Sequence, residues 1–216
     1  MILSYFGHSC FKIQDKVGTD GVTVITDPFN KNLGLKVPNC EADVVTVSHN
    51  HDDHNNFGSL RGEAFIVDTP GEYDVKGIMI VGVETFHDDK NGEERGRNIA
   101  YRLEVDDIVL AHLGDLGHVL TNEQLEQLGN IDVLLVPIGG HFTLDAKKAV
   151  EVINQIEPRI VIPMHYKLPK SQIDLDGLDK FIKELGVEPQ CEEKFKISKK
   201  DLPQEGMSLV VLEVME

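Results

Sequence analysis

The segment VSHNHDDHNN at 47–56 holds three histidines and two aspartates between His49 and His54. In an extended backbone His49 and His51 point to the same side, so both imidazoles can bind one metal ion. After a turn, Asp53 and His54 can face a second ion from the opposite side. A solvated surface loop is the alternative, because exposed titratable side chains need no partner. If these groups are buried together, they need a common partner such as a metal ion.

Other residues able to bind metal or substrate follow apolar segments elsewhere in the chain. Strands that end at one rim bring the loops after them into a single cleft, so we expect one site built from distant parts of the sequence. For a histidine that stands alone, such as His8 or His118, a structural role is the more common outcome. The candidates at strand ends are His87 after 83–86, Asp115 after 108–113, His141 after 133–138 and His165 after 160–164.

The elements that must position these residues are mostly short strands. Val- and Ile-rich segments closed by turn residues predict strands at 2–6, 10–14, 22–26, 44–47, 64–67, 77–85, 99–105 and 108–112. Asp106 and Asp107 favour a hairpin turn between the last two of these strands. Fully apolar segments predict buried strands at 133–138 and 160–163, and a last strand is predicted at 208–214.

Three helices are predicted in the second half of the chain. The first has a capping-box sequence at 121–124 and ends at Gly129. Thr143 is the candidate N-cap of the second, and the third starts near Leu175 and ends before Gly186. Strands followed by strand–helix alternation predict a layered α/β (α+β) fold with helices outside two sheets.

Composition limits the class of protein and its partners. The chain of 216 residues has no Gly/Ser linker, which predicts a single domain over 1–216. The formal charge of −16 argues against nucleic acid and anionic membranes as partners. The N-terminal segment lacks a basic leader, and no window approaches the ~18 apolar residues of a membrane span, which predicts a cytoplasmic protein. Three widely spaced cysteines argue against a disulfide framework and are expected to be reduced packing residues.

The ordered motifs resemble those of the metallo-β-lactamase superfamily. His49-x-His51-x-Asp53-His54 matches the HxHxDH signature, and the later elements of the pattern follow in the expected order at His87, Asp115 and His165. Within that superfamily, the sequence is similar to small metal-dependent hydrolases related to ascorbate-6-phosphate lactonases. The segments that carry this similarity are GHSCF at 7–11, TDPF at 26–29, PGEY at 70–73 and HLGDLGH at 112–118.

The resemblance implies a four-layer αββα sandwich with the site at one edge of its two sheets. It also implies that one metal ion is held by His49, His51 and His87, and a second by Asp53, His54 and His165, with Asp115 bridging them. His112 competes with His87 for the first site, although its place beside Asp115 suits contact with a ligand residue or the substrate better.

Four further residues are candidates for supporting the metal ligands or touching substrate. Metal-bound histidines usually donate their other ring nitrogen to a carboxylate or carbonyl, and His8 and Asp27 are candidates for such groups. A cap for the turn at Pro28 is an equally good explanation of Asp27. His141 is expected to bind substrate or stabilise an oxyanion, and His112, if it is not a ligand, is expected to support a ligand or contact the substrate.

The implied chemistry is hydrolysis. Two divalent ions ~3.5–4 Å apart that share Asp115 can hold a hydroxide between them, which attacks an ester, lactone or phosphoester of a small molecule. Asp53 or the remnant of the bridging water is expected to shuttle the proton, and Asp53 and Asp115 are the candidate catalytic residues. Nitrogen and oxygen ligands without a thiolate favour two zinc ions, while manganese or iron also fit.

A second class of function remains open: a metal-binding protein of the same fold without hydrolytic turnover, acting as a sensor or in assembly. The complete ligand set favours the hydrolase. The expected partner is a small-molecule substrate, and association into a homo-oligomer stays open because superfamily members of this size often associate.

Overall fold

The structure is a computed structural model that describes residues 1–17 and 20–215. Within these residues the first of two sheets has six strands, in the order β13-β1-β2-β3-β4-β5 once the strands are numbered along the chain. The strands are β1 (Ile2–Gly7), β2 (Cys10–Val17), β3 (Asp20–Thr26), β4 (Val44–Thr46), β5 (Phe65–Val67) and β13 (Phe195–Lys196).

The second sheet has eight strands in the order β12-β14-β11-β10-β9-β8-β7-β6. Its strands are β6 (Gly71–Val75), β7 (Ile78–Phe86), β8 (Arg97–Val105), β9 (Ile108–His112), β10 (Val133–Pro137), β11 (Ile160–Met164), β12 (Pro189–Glu192) and β14 (Ser208–Leu212). The helices are α1 (Asn122–Leu128), α2 (Ala146–Ile156) and α3 (Leu178–Leu185), with 3-10 turns at Lys31–Leu33, Phe57–Ser59 and Lys199–Asp201.

Alternation along the strands of the smaller sheet creates two apolar layers. Phe11, Val24 and Val44 point into the core that also contains residues of the larger sheet, such as Leu103 and Leu134. Their chain neighbours point the other way, because successive side chains of a strand face opposite sides. Those neighbours, Cys10, Ile25 and Val45, form a second cluster with Phe29 and Leu33.

The sequence-based prediction of an αββα sandwich is confirmed. The two sheets share one core, α1 contacts β7, and α2 contacts β10 and α3 on the outside of the larger sheet. The layer outside the smaller sheet is formed by 3-10 turns and loops around Phe29 and Leu33. The single domain over 1–216 stays a prediction.

The direction of the strands explains where the loops of the site meet. In the smaller sheet β3, β4 and β5 are parallel. In the larger sheet β9, β10 and β11 are parallel, and β7 runs in the same direction because β8 pairs antiparallel with both β7 and β9. The loops that follow these strands therefore leave each sheet at one edge.

The predicted strands and helices are all present, with changes at their ends. The hairpin at Asp106 and Asp107 is confirmed, and both residues have the positive φ (50° and 63°) that a type I′ turn requires. Thr143 was the wrong N-cap for α2: the side chain of Asp145 accepts the Lys148 N–H at 2.8 Å instead. In α3 the fully buried side chain is Phe181.

The environments of the cysteines differ. Cys10 is buried, Cys40 is intermediate and Cys191 is exposed, and all three are free thiols. The expectation that the cysteines are packing residues thus fits Cys10 and fails for Cys191. No helix within the described residues has the length and apolar character needed to cross a membrane.

These environments predict a thiol titration with separate phases. Burial raises the pKa of the Cys10 thiol well above its usual value, and the thiolate is the reactive form. We expect Ellman's reagent to label Cys191 fast in the native protein and Cys10 only after denaturation. A Cys191→Ser variant serves as the control, since it should lose only the fast phase. Equal reaction rates for Cys10 and Cys191 would contradict the buried position of Cys10.

Candidate metal centre

The candidate ligands lie in loops that follow strands at one edge of the sandwich. The segment from His49 to His54 follows β4, His87 follows β7, Asp115 follows β9 and His165 follows β11. The strand ends therefore converge at one edge, as predicted.

Asp115 lies at the centre of this arrangement. Its Oδ2 atom is 3.1 Å from Nε2 of His87, 3.1 Å from Nε2 of His165 and 3.2 Å from Nε2 of His54. Nε2 of His49 is 3.9 Å from the same oxygen. Four imidazoles from three loops thus surround one buried carboxylate, which is the position that a bridging ligand needs.

The side chains divide into groups that can hold metal ions. His49, His51 and His87 form one group whose ligand atoms lie within 4.8 Å of one another, as the resemblance implies for the first ion. A further group joins His49 and His54 to Asp115. The structure therefore places Asp115 between the two predicted sites.

The second group differs from the implied set by including His8 beside His54 and His165. Nε2 of His8 is 3.1 Å from Nε2 of His54 and 3.2 Å from Oδ2 of Asp53. Asp53 itself is 3.7 Å from Nε2 of His54. His8, predicted to support the ligands, thus contacts the proposed ligand atoms themselves.

Two of the histidines, His49 and His54, are oriented by hydrogen bonds to their Nδ1 atoms. Nδ1 of His54 is 2.9 Å from Oδ2 of Asp27, and Nδ1 of His49 is 2.9 Å from the Ser48 hydroxyl. Ser48 in turn donates from its hydroxyl and its backbone N–H to Asp27, at 2.6 and 2.7 Å. Asp27 therefore fixes both rings with their Nε2 atoms directed at Asp115, the supporting role that ligand histidines usually require.

Electrostatic conditions differ between neighbouring imidazoles. Burial lowers the pKa of His49 to about 2 and that of His8 to about 4, so both rings are neutral near pH 7. Burial also lowers the pKa of His54, but contacts with Asp115 and Asp27 outweigh it and raise the pKa well above its usual value. Burial raises the pKa of Asp115, yet the surrounding histidines, His165 and His54 first, hold it well below its ordinary range.

The side chains present fit a transition-metal centre. Nε2 of His49 is buried and has no hydrogen-bond partner within the part of the chain that the structure describes. A buried polar atom without a partner is costly, and here its lone pair points into a cluster of nitrogen and oxygen donors. Imidazoles around a shared carboxylate are the donor set that zinc, manganese and iron accept, and a ring that carries a proton, such as His54, releases it when metal binds.

His112 and His141 lie apart from the ligand groups. His112 is buried, with Nε2 2.8 Å from the Ser9 carbonyl and Nδ1 accepting the Gly114 N–H at 3.3 Å, so both its ring nitrogens are engaged. Of the two competing residues, His87 is therefore the one placed beside His49 and His51. The His141 ring is exposed and faces the neighbouring Phe142 ring, with centroids 6.2 Å apart.

The backbone is strained at several of these residues. His8, Asp27 and His165 have φ values of 59°, 38° and 51°, a left-handed region that side chains other than glycine rarely adopt. Such strain costs ~1–3 kcal/mol per residue and collects at functional sites. His8, Asp27 and His165 belong to the candidate centre, while residues outside it, such as Lys76 and Glu157, share this φ region.

Two glycines explain the motif HLGDLGH at 112–118. A Cβ on Gly114 would lie 2.5 Å from Cβ of Ser48, and Gly114 has a φ of 56°. A Cβ on Gly117 would lie 2.5 Å from the carbonyl carbon of His87. Both glycines let the turn that carries Asp115 pack directly against the other ligand loops.

The site residues that sequence reasoning missed are Ser48 and Asn98. Ser48 joins Asp27 to His49, and Asn98 accepts the backbone N–H of Asp115 at 2.9 Å while donating to the Leu113 carbonyl at 2.9 Å. An asparagine inside a strand is uncommon, so Asn98 in the segment RNIAYRLEV carried a usable signal. Ser48 carried none beyond its place next to His49.

Comparison with known proteins identifies the superfamily. The Beta-lactamase superfamily domain matches residues 2–165. The chain belongs to the metallo-β-lactamase superfamily. It is 32% identical to a UPF0173 metal-dependent hydrolase of Thermococcus onnurineus, over 75% of this chain and 83% of that relative. A UPF0173 metal-dependent hydrolase of Methanopyrus kandleri is 26% identical, over 87% of this chain and 94% of that one.

Solved structures share the fold. A metallo-β-lactamase superfamily protein of Thermotoga maritima is 40% identical, with a TM-score of 0.79 over 99% of both chains. Igni18, a metallo hydrolase of Ignicoccus hospitalis, is 24% identical, with a TM-score of 0.61 over 86% of this chain and 90% of that one. The second likeness concerns the fold alone.

Proposed function

We propose that this protein is a metal-dependent hydrolase with a binuclear centre that cleaves an ester, lactone or phosphoester of a small molecule. The observation that carries the proposal is the convergence of four histidine Nε2 atoms on Oδ2 of Asp115. The names of the relatives from Thermococcus onnurineus and Methanopyrus kandleri support it. The proposed relation to ascorbate-6-phosphate lactonases rests on the sequence motifs.

The proposed ligands divide between two ions. His49, His51 and His87 would hold one ion, Asp53, His54 and His165 the other, and Asp115 both. Bound there, the ions supply a nucleophilic water of lowered pKa and polarise the bond under attack. Zinc is the proposed metal. The Thermotoga maritima protein is described as a proposed Zn-dependent hydrolase, which supports this choice. Manganese or iron suit the same donors.

Asp53 has the position of a group that handles the proton. Its side chain is 30% exposed, lines the cavity over the ligands and has Oδ2 3.2 Å from Nε2 of His8. Partial burial raises the pKa of Asp53, but the His8 hydrogen bond and the His54 charge outweigh it and lower the pKa. The carboxylate is therefore ionised, so it can take a proton from the attacking water and pass that same proton to the leaving group.

The cavity supports a small substrate. It measures about 290 Å³ and is lined by ligand residues together with Phe142 and Ile173. That volume suits a compact molecule. The net charge of −16 supports the exclusion of nucleic acid and anionic membranes as partners, and we place the protein in the cytoplasm. Homo-oligomer formation stays open.

A substrate screen tests the proposal. Protein purified without chelator is first analysed for metal, and zinc- and manganese-loaded samples are then assayed on lactones, thioesters and phosphodiesters. We expect turnover above an Asp115→Ala control on at least one class. Metal binding without turnover on any class would favour the sensor or assembly protein instead. A protein reproducibly free of transition metal would overturn the ligand assignment itself.

Removal of metal is expected to destabilise the protein. Ligand present at ~1,000 times its Kd stabilises the native state by ~4 kcal/mol, and ~1 kcal/mol corresponds to ~2–4 °C for a chain of this size. We therefore expect a chelator to lower Tm by about 10 °C in differential scanning fluorimetry, and added zinc to restore it. A Tm that does not respond to the chelator would count against a metal centre.

A further inference from the structure

The loop between β7 and β8 is folded around one carboxylate. Asp88, directly after His87, is buried and accepts four backbone N–H groups, two on each oxygen. Burial raises the pKa of Asp88, but these donors outweigh it and hold the pKa at about 2. The next residue, Asp89, forms a 3.0 Å ion pair with Lys148 on α2. The four donors are Lys90 and Gly92 at 2.8 Å, Glu94 at 3.0 Å and Arg95 at 2.7 Å.

This folded loop places Arg95 beside the candidate metal centre. The guanidinium carbon of Arg95 lies 4.6 Å from the centroid of the Phe142 ring. Among the ion pairs of residues 1–17 and 20–215, none involves Arg95, whereas Arg97 pairs with Glu84 at 3.2 Å. Arg95 is half-buried and Arg97 is exposed. Arg97, the first residue of β8, is therefore paired with a carboxylate, while Arg95 in the loop keeps its charge available.

Arg95 also lies where two cavities meet. It lines the 290 Å³ cavity over His51, Asp53 and Asp115, and it lines an adjoining groove of about 720 Å³. His51 lines both spaces as well. A molecule that extends from the metal ligands into the groove must pass the Arg95 side chain.

We propose that Arg95 binds an anionic group of the substrate, a carboxylate or a phosphate, while the bond to be cleaved lies over the metal ligands. This inference deepens the proposed function and rests on it. A guanidinium donates two parallel hydrogen bonds to either anion, and the Phe142 face holds its plane in place. An unpaired cation is notable in a chain with a net charge of −16. Arg95 thus selects an anionic substrate within an acidic protein.

The rest of the groove sets where the anion binds. Glu84, Asp68 and Arg97 line the groove, and Arg97 is already paired with Glu84. An anion near Asp68 would be repelled, so the Arg95 end is the favourable one. Phe142 and Ile173 form an apolar wall of the smaller cavity, which suits the carbon skeleton between the anion and the reacting bond.

Kinetics with matched substrates test the specificity role. Two substrates share the cleaved bond and differ only in a terminal carboxylate or phosphate. For Arg95→Gln we expect KM for the anionic substrate to rise about 10- to 100-fold, since a hydrogen bond to a charged group contributes ~1.5–3 kcal/mol, with kcat changing less than ~3-fold. The neutral substrate should be unaffected. Arg95→Lys should be intermediate and Arg97→Gln close to wild type.

Calorimetric titration separates this inference from the proposed function because it needs no turnover. Metal-loaded wild type, Arg95→Gln and Arg97→Gln, matched in metal content, are titrated with inorganic phosphate and with propionate. A Kd that rises tenfold or more in Arg95→Gln alone supports the inference even if no substrate is hydrolysed. The anion whose affinity falls more in Arg95→Gln identifies the group of the substrate that Arg95 binds, a phosphate or a carboxylate. Unchanged Kd values in Arg95→Gln, or an equal loss of anion affinity in Arg97→Gln, would overturn the inference.

Discussion

Asp115→Asn is expected to lower metal content from about two ions per chain to one or fewer, and to reduce hydrolysis by about three orders of magnitude or more. Oδ2 of Asp115 is the atom that His54, His87 and His165 approach at 3.1–3.2 Å. An amide has no negative charge and presents only one acceptor oxygen, so it cannot bridge two cations. Metal analysis by mass spectrometry and kcat/KM on the best substrate measure both effects.

The fold itself should survive this change. Asparagine has nearly the same shape, and the backbone N–H of residue 115 keeps its 2.9 Å hydrogen bond to Asn98. Asp52→Asn is the matched control, because Asp52 is an exposed carboxylate inside the same histidine-rich segment. The control should retain wild-type metal content and activity. An Asp115→Asn protein with two ions and more than about a tenth of the activity would refute the bridging role.

Local spacing explains which parts of the centre could be predicted. His49 and His51 belong to one ligand group, as their spacing predicts, although both lie in bends after β4 and not in an extended strand. The apolar segments before His87, Asp115 and His165 are long enough to predict strands, and in the structure these strands end at one edge. Sequence reasoning works well where a short-range pattern controls the outcome.

Contacts between residues far apart in the sequence could not be predicted from these patterns. His8 meets Asp53 across 45 positions, and nothing near His8 indicates that partner. His141 follows a strand as expected, yet the turn exposes its ring, and the neighbouring Phe142 lines the cavity instead. The choice between His87 and His112 depended on the β8–β9 pairing, which places His112 opposite Tyr101 in the sheet.

Missed strands have a different cause. β6, with the sequence GEYDV, is mostly exposed, and its apolar alternation is limited to the half-buried Tyr73 and Val75. β12 begins with a proline and is exposed along most of its length. Both lie at edges of the larger sheet, where one neighbour and little burial decide the structure. Hydrophobic periodicity cannot detect a strand whose stability comes from backbone pairing.

Asp27→Ala is expected to weaken both the fold and the metal centre. The fully buried carboxylate of Asp27 is the acceptor for the Ser48 N–H, the Ser48 hydroxyl and Nδ1 of His54, at 2.7, 2.6 and 2.9 Å. Alanine leaves these donors buried without an acceptor, which we expect to lower the free energy of unfolding by about 3–5 kcal/mol. Released from Asp27, the His49 and His54 rings should bind metal about 10- to 100-fold more weakly.

Two comparison variants show whether orientation of the histidines is the cause. Asp27→Asn keeps one acceptor oxygen without the charge, so its losses in stability and metal affinity should lie between those of wild type and Asp27→Ala.

Asp43→Ala removes a partly exposed carboxylate of the same sheet that pairs with Lys76 and accepts the Thr23 N–H. Its unfolding free energy should change by about 1 kcal/mol, because exposed ion pairs contribute little, and its metal affinity should not change. Denaturant titration of chelated protein and competition with a chromophoric chelator give the two quantities. If Asp27→Ala matched Asp43→Ala in both, Asp27 would be only a cap of the turn at Pro28.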